Sequence, residues 1–231
     1  MIDYGRTALL AFSTTLFVIT GAAAQSERLL VNMPKGFCRI ERQLNATESA
    51  MVYKLDGGPS AMVAIAAVYV DCPSMPLFAK GAYGDVKRWA VIATGRSETR
   101  ITSRKDFVDS FANNYVIDSG ELLDRLYGAV DAYTANFATN PKHGRDQPTT
   151  LGIIDRDDRA IYKASIINLT VGGRSRIYTS VNGMTVVGQT IVRISMHAPH
   201  RRNTVYADLL GSVRRAVIDI DTTPTPSPRK P

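Results

Sequence analysis

The sequence has few of the side chains that most often build reactive or metal-binding centres. It contains three histidines and two cysteines in 231 residues. It has no Gly-x-Ser-x-Gly nucleophile elbow, no Walker phosphate loop and no dinucleotide-binding glycine fingerprint. Serine, histidine and aspartate are all present, but no spacing singles out a triad. The sequence therefore offers no recognisable catalytic set and implies no cofactor.

Two short motifs resemble metal sites but miss required ligands. In the segment His197–His200 two histidines lie three residues apart, but Pro199 prevents a helix from aligning them. The only other histidine is His143, and a zinc site needs three or four protein ligands. The acidic segment Asp155–Arg159 lacks the later ligand, glycine and glutamate of a calcium-binding EF-hand loop. We expect a polar turn there and no metal ion.

The amino terminus has the layout of a secretory signal peptide. Arg6 supplies a positive charge, residues 7–20 are apolar, and small residues follow. Cleavage is expected between Ala24 and Gln25, which makes residues 1–24 the signal peptide. An uncleaved anchor is the alternative, although the charge-free stretch is short for a membrane-spanning helix. We therefore expect a periplasmic or secreted protein.

Export changes the interpretation of the two cysteines. In an oxidising compartment an even pair is most simply a disulfide, so we expect Cys38 and Cys72 to be bonded to each other. Such a bond closes a loop of about 35 residues and stabilises the fold by roughly 3–4 kcal/mol. The long spacing differs from that of redox-active Cys-x-x-Cys pairs, which favours a structural role.

The charge of the chain indicates the class of partner. The formal net charge is +7 at pH 7. A basic exported protein does not normally meet nucleic acid, so the expected partner is an anionic envelope component, which is a lipid, a glycan or a protein. The alternative is that the positive charge merely aids solubility.

Hydrophobic periodicity predicts an α+β protein. The predicted helices are residues 46–55 after an Asn45 cap, 103–114, a helix beginning at 119 or 120, and a last helix capped by Asn203. The predicted strands are residues 61–70, 88–94, 150–154, 160–171, 174–181 and 184–196. Residues 25–220 are expected to form a single globular domain, and residues 221–231 a disordered, proline-rich basic tail.

Two of these elements carry specific structural predictions. The segment Ala61–Val70 is apolar at both alternating sets of positions, which predicts a central strand buried on both faces. The pair Asn182-Gly183 is the strongest hairpin signal, because a tight type I′ turn needs positive φ at both central residues. Four late strands with short links would then form an antiparallel meander.

The element order predicts a mainly antiparallel sheet with helices on both faces, a three-layer sandwich with the C-terminal helix packed on the sheet. The segments MPKGFCRI (Met33–Ile40) and MVAIAAVYVDCP (Met62–Pro73), with the meander and last helix, resemble small uncharacterised exported bacterial proteins. Their plan is similar to the PsbP-like α-β-α sandwich. The resemblance covers most of the mature chain as element order. It implies a binding or assembly role and transfers no catalytic residues.

The end of the last predicted strand carries the most specific binding prediction. Pro199 forces the chain out of the sheet, so an exposed basic loop is expected before the C-terminal helix. The candidate anion-binding residues are His197, His200, Arg201 and Arg202. The free amides of the helix N-terminus, and protonation of histidine below about pH 6.5, would strengthen the attraction. A solvated basic loop without a ligand is the alternative.

These observations favour one function and leave a second open. The leading hypothesis is a periplasmic, non-enzymatic module that binds or scaffolds a component of the cell envelope. The alternative is a periplasmic hydrolase or other enzyme with a site near His197 or His143. A histidine that meets an acid and a nucleophile in one pocket would favour the enzyme.

Overall fold

The computed structural model describes residues 30–55, 63–96, 101, 103–139, 148–171, 174–200 and 205–221. Several predictions concern residues outside these ranges. They are the signal peptide with its cleavage site at Ala24 and Gln25, His143, Arg201, Arg202 and the tail after Asp221. None of the helices in the described ranges combines enough length and apolar character to cross a membrane.

The strands form one large antiparallel sheet and one short ribbon. Their bounds are β1 Leu30–Val31, β2 Phe37–Arg39, β3 Val63–Asp71, β4 Trp89–Arg96, β5 Thr149–Arg156, β6 Ile161–Val171, β7 Arg174–Val187, β8 Thr190–Pro199 and β9 Ile220–Asp221. The large sheet has seven strands in the order β2-β3-β4-β8-β7-β6-β5, and β1 pairs with β9. The meander predicted from the sequence is β5 to β8. Asp221 belongs to β9, so the ordered domain extends one residue beyond its predicted end.

Helices lie on both faces of the large sheet. Their bounds are α1 Ala46–Leu55, α2 Met75–Ala79, α3 Arg104–Asp109, α4 Ser119–Thr139 and α5 Val205–Ile218. Leu209, Val213 and Val217 of α5 are buried against the sheet on the face that also receives α4. The opposite face receives α1 and α3. The predicted α+β sandwich with the C-terminal helix on the sheet is therefore confirmed. We name its two sides the α5 face and the α1 face.

Side-chain caps explain where two of the helices begin. The Asn45 side-chain oxygen accepts a hydrogen bond from the Glu48 backbone N–H at 2.9 Å, and the Glu48 carboxylate accepts one from the Asn45 N–H at 2.9 Å. This reciprocal capping box satisfies two N–H groups that the helix leaves unpaired. Ser103 caps α3 by accepting from the Asp106 N–H at 3.0 Å. The Asn45 cap was predicted, and α3 begins near its predicted start but is shorter than expected and ends at Asp109.

The prediction that residues 61–70 form a central strand is wrong in part. Val68, Tyr69 and Val70 are buried, but Ala64 and Ala66 are exposed. The cause is topological, because β2 pairs only with the last three residues of β3 and leaves its first half at the sheet edge. β4, the next strand in the sheet, is buried on both faces, since Trp89 to Ala93 are at most 2% exposed.

The predicted hairpin at Asn182-Gly183 is also wrong. Both residues lie inside β7, and the turn to β8 is at Gly188-Gln189, where Gly188 has φ +60°. A Cβ atom on Gly183 would lie 2.6 Å from Cγ1 of Val213 in α5. The glycine therefore allows the helix to approach the sheet, which a local turn rule cannot detect.

The disulfide between Cys38 and Cys72 is formed, as predicted, with a Cα–Cα distance of 4.9 Å. It joins β2 to the residue that follows β3, across a sequence separation of 34. The bond holds the short edge strand β2 on the sheet, where only three residue pairs would otherwise secure it. The residues that precede the two cysteines, Phe37 and Asp71, are thereby fixed opposite each other.

Candidate functional site

A pocket of about 320 Å³, which we name the α5 pocket, lies between one end of the sheet and α5. Its apolar wall is formed by Phe37, Met196, Ala198, Pro199 and Leu209. These residues come from β2, β8 and α5, so the antiparallel order of the sheet brings distant parts of the chain together. The volume falls at the lower end of the range for small-molecule sites, which are mostly apolar with a few polar groups.

The polar part of the α5 pocket is of mixed charge. Its polar lining residues are Asp71, Lys87, Arg88, Asp208 and Ser212. Lys87 and Arg88 are exposed and precede β4, whereas Asp71 is only 3% exposed. One Asp71 oxygen accepts the Arg88 backbone N–H at 3.0 Å, so this carboxylate helps to position the backbone of the basic pair.

Arg88 is oriented by a second contact. Its guanidinium carbon lies 5.0 Å from the centre of the Phe37 ring, a cation–π geometry. Because the disulfide fixes Phe37 opposite Asp71, the same covalent bond constrains both groups that hold Arg88. The apolar wall and this supported cation together suit a ligand with an apolar body and an anionic group.

His200 lies directly after β8 and is held in place. Its backbone N–H donates to the Ile177 carbonyl at 2.7 Å, and its Nδ1 lies 3.2 Å from the Thr179 hydroxyl. Burial lowers the pKa of the imidazole below its ordinary value. His200 therefore becomes protonated, and attracts anions, only at a lower pH than the 6.5 expected from the sequence. Arg201 and Arg202, which follow it in the chain, lie outside the described residues.

The assignment of His197 to an exposed anion-binding loop is wrong. His197 lies in β8, on the opposite face of the sheet from the α5 pocket, and is completely buried. Its Nδ1 contacts the Ser180 hydroxyl of the paired strand. Burial, aided by the positive charge of Arg193, lowers the pKa of His197 to about 3. The imidazole is therefore neutral at physiological pH, because protonation would place an extra charge in a dry interior.

The Ser180–His197 contact bears on the enzyme alternative. A serine hydroxyl beside an imidazole is one part of a nucleophilic centre. Both residues are 0% exposed, however, and no carboxylate among the described residues is hydrogen-bonded to the histidine. A substrate could not reach the hydroxyl in this arrangement.

The acidic segment Asp155–Arg159 forms a turn, as predicted. Asp157 accepts the backbone N–H groups of Arg159 and Ala160 and the hydroxyl of Tyr162 at 2.7–2.9 Å. These bonds close the link between β5 and β6. Within the described ranges no three His, Cys, Asp or Glu side chains converge to hold a metal ion.

Sequence reasoning missed the basic pair at the α5 pocket. Lys87 and Arg88 precede a strand without any motif, and only the fold brings them beside α5. Sequence reasoning also missed an alternation of polar residues along three strands. Examples are Lys163 and Ser165 in β6, and Ser180 and Asn182 in β7. That spacing of two was a usable signal, because residues at i and i+2 of a strand share a face.

Comparison with known proteins adds no assignment. No protein-family model matches the chain, and no curated protein sequence matches it. The likeness to the PsbP-like plan stays a prediction that depends on the order of elements. The function must therefore be argued from the geometry of the chain's own residues.

Proposed function

We propose that the protein is an exported, non-enzymatic binding module of the periplasm and that the α5 pocket holds the anionic group of an envelope component. The observation that carries the proposal is that Lys87 and Arg88 meet an apolar wall in a pocket whose Phe37 and Asp71 directly precede the disulfide-bonded cysteines. The bond itself supports export, because structural disulfides persist in oxidising compartments. The net charge of +7 favours approach to an anionic surface.

An anionic lipid is the envelope component that this geometry favours. A lipid offers both an anionic head group for Arg88 and Lys87 and an apolar body for the wall that includes Phe37 and Leu209. A glycan would leave the apolar wall unused. An acidic protein segment would have to place a side chain in a pocket of about 320 Å³.

The binding test uses the mature chain, residues 25–231, and vesicles with and without anionic lipid. We expect binding to anionic vesicles that weakens as salt rises, because exposed charges are screened. The variant Lys87→Ala/Arg88→Ala should bind at least about tenfold more weakly, since it removes two charged contacts. Arg201→Ala/Arg202→Ala tests the predicted basic loop in the same assay.

A matched control separates the pocket from bulk charge. Lys80→Ala/Arg159→Ala removes the same two positive charges from exposed positions outside the α5 pocket. Equal losses for both double variants would mean that only net charge matters and would overturn the pocket assignment. If an anionic glycan binds and the vesicles do not, the α5 pocket remains the proposed site, but its ligand is a glycan and not a lipid.

Export is tested separately from binding. The intact mass of the protein from its native host should correspond to a chain that begins at Gln25. Thiol labelling after denaturation without reductant should find neither Cys38 nor Cys72. Retention of residues 1–24 would indicate an anchor instead, and labelling of both cysteines would contradict an oxidising compartment.

A further inference from the structure

The α1 face of the sheet carries polar side chains where a sandwich core would ordinarily be apolar. They come from three adjacent strands, β6, β7 and β8, and occupy alternate positions in each. We name the set the polar groove. Its members are Lys163, Ser165, Ser180, Asn182, Arg193, Ser195 and His197.

The strand register makes these residues one continuous surface. Ser180 pairs with Ser165 on one side and with His197 on the other. One step along the strands, Asn182 pairs in the same way with Lys163 and Ser195. Directly paired residues point to the same face, and neighbouring strands lie about 4.8 Å apart. Arg193 follows on the same face, two residues from Ser195.

Apolar clusters flank the groove along the strands on both sides. Ile167 and Tyr178 belong to the cluster that packs against α1, and Ile161 and Val186 to the cluster that packs against α3. Ile161 and Ile167 are six residues apart in β6, which corresponds to about 20 Å at 3.3 Å per residue. The two clusters, which pack against α1 and α3, therefore flank a polar interval in the middle of the strands.

The groove is open at its cationic end and closed at its other end. Lys163, Asn182 and Arg193 are partly exposed, whereas Ser180 and His197 are 0% exposed. The Lys163 ammonium makes no ion pair with any described residue, and its nearest aromatic ring is Phe111 at 5.6 Å. Burial and the positive charge of Arg193 both lower the pKa of Lys163. The charge of Arg193 thus acts on Lys163 and disfavours its charged form.

Neutral hydrogen-bonding groups lie below the two cations. The Asn182 amide donates to the Ser165 hydroxyl at 3.3 Å, and the Ser180 hydroxyl contacts Nδ1 of His197. Nε2 of His197 is buried and has no hydrogen-bond partner among the described residues. An unpaired buried nitrogen is costly, so His197 is an unsatisfied polar group at the buried end of the groove.

We propose that the cationic end of the polar groove binds a phosphate group, with Lys163 and Arg193 as its charged contacts and the Asn182 amide as a neutral donor. A phosphate carries close to two negative charges and matches two cations, whereas a carboxylate carries one. Its oxygens can also accept several hydrogen bonds at once. This site lies on the opposite face of the sheet from the α5 pocket and is independent of the function proposed for it.

The test is calorimetric titration of the mature chain with inorganic phosphate and, separately, with glycerol 3-phosphate, in sodium chloride of matched ionic strength. We expect saturable binding, and at least about tenfold weaker binding for Lys163→Met because a charged contact is lost. Binding of both compounds would identify free phosphate as sufficient. Binding of glycerol 3-phosphate alone would identify an organic phosphate.

Two controls make the result specific. Lys80→Met removes an exposed lysine outside the groove and should leave binding unchanged. Lys87→Ala/Arg88→Ala should also leave it unchanged, because these residues line the α5 pocket. The proposal is overturned if neither compound binds, if Lys163→Met binds as tightly as the wild type, or if only the Lys87/Arg88 variant loses binding. Circular dichroism of each variant confirms that it is folded.

Discussion

In the central strands, adjacent residues face very different surroundings. Val181 and Ile194 lie under α5 in a continuous apolar layer. Their immediate sequence neighbours, Asn182 and Ser195, point to the other face, where they line up with Lys163. The same three strands therefore supply stability on one face and polar recognition groups on the other. Burial alone does not mark a residue as part of the stabilising core.

The largest expected effect tests the apolar α5 face. Ile194→Asp should abolish folding, with a loss of more than about 4 kcal/mol, because a carboxylate would be buried without a partner. Ile65→Asp introduces the same group at a half-buried position near the sheet edge and should cost less. Urea unfolding of both variants measures the difference. Equal losses would show that the two positions are equally buried.

The close approach of α5 gives the next largest effect. Gly183→Ala should destabilise the fold by about 3 kcal/mol, because the new methyl group would overlap Val213. Val213→Ala creates space at the same contact, so the double variant should lose less than the sum of the single variants. A double-mutant cycle from denaturant unfolding measures this coupling. Simple additivity would mean that the helix does not touch the strand here.

The next prediction concerns Glu48, a buried carboxylate near the α1 face that is stabilised by hydrogen bonds. The side chain of Glu48 is 0% exposed, and its carboxylate accepts bonds from Arg42 at 2.7 Å and from the Tyr83 hydroxyl at 2.9 Å. Glu48→Gln should cost about 2 kcal/mol at pH 7, as expected for hydrogen bonds to a charged group. Chemical unfolding at neutral pH measures this loss.

The pH dependence of the same variant gives a sharper test. The hydrogen bonds from Arg42 lower the pKa of Glu48, so the folded carboxylate holds its proton less tightly than the unfolded one. Its contribution is complete above the unfolded pKa of about 4.3 and is lost as pH falls through the lower folded value. The difference between wild type and Glu48→Gln should therefore shrink below about pH 4. A constant difference across that range would contradict the pairing.

The smallest effect is expected in the polar groove. Lys163→Met removes a partly buried ammonium whose pKa is lowered by burial and by Arg193. The variant should change the free energy of unfolding by less than about 1 kcal/mol and should not destabilise the protein. Thermal unfolding in buffer without phosphate measures this. A large loss of stability would assign Lys163 to the core rather than to a binding surface.

The sequence was sufficient where a local rule decides the structure. The Asn45 cap predicted the start of α1, and hydrophobic periodicity predicted a last helix where α5 is found. The disulfide followed from the expected compartment and the even cysteine count. Each of these features depends on a few neighbouring residues or on a single pair.

The rest could not be predicted because contacts distant in sequence decide it. Gly183 resembled a turn residue, but its role is set by a helix some 30 residues later in the chain. His197 lies in β8, and its complete burial beside Trp89 of β4 and Ser180 of β7 depends on contacts with residues distant in sequence. The α5 pocket combines residues of four elements and has no local signature.

The short ribbon of β1 and β9 has a consequence for how the domain connects to other segments. Leu30 pairs with Asp221 in antiparallel orientation, so the chain enters and leaves the domain at neighbouring points. A domain with adjacent ends can be inserted into a surface loop of a host protein without stretching that loop. The same adjacency should allow the ends to be joined by a short linker and new ends to be opened at the Gly188-Gln189 turn.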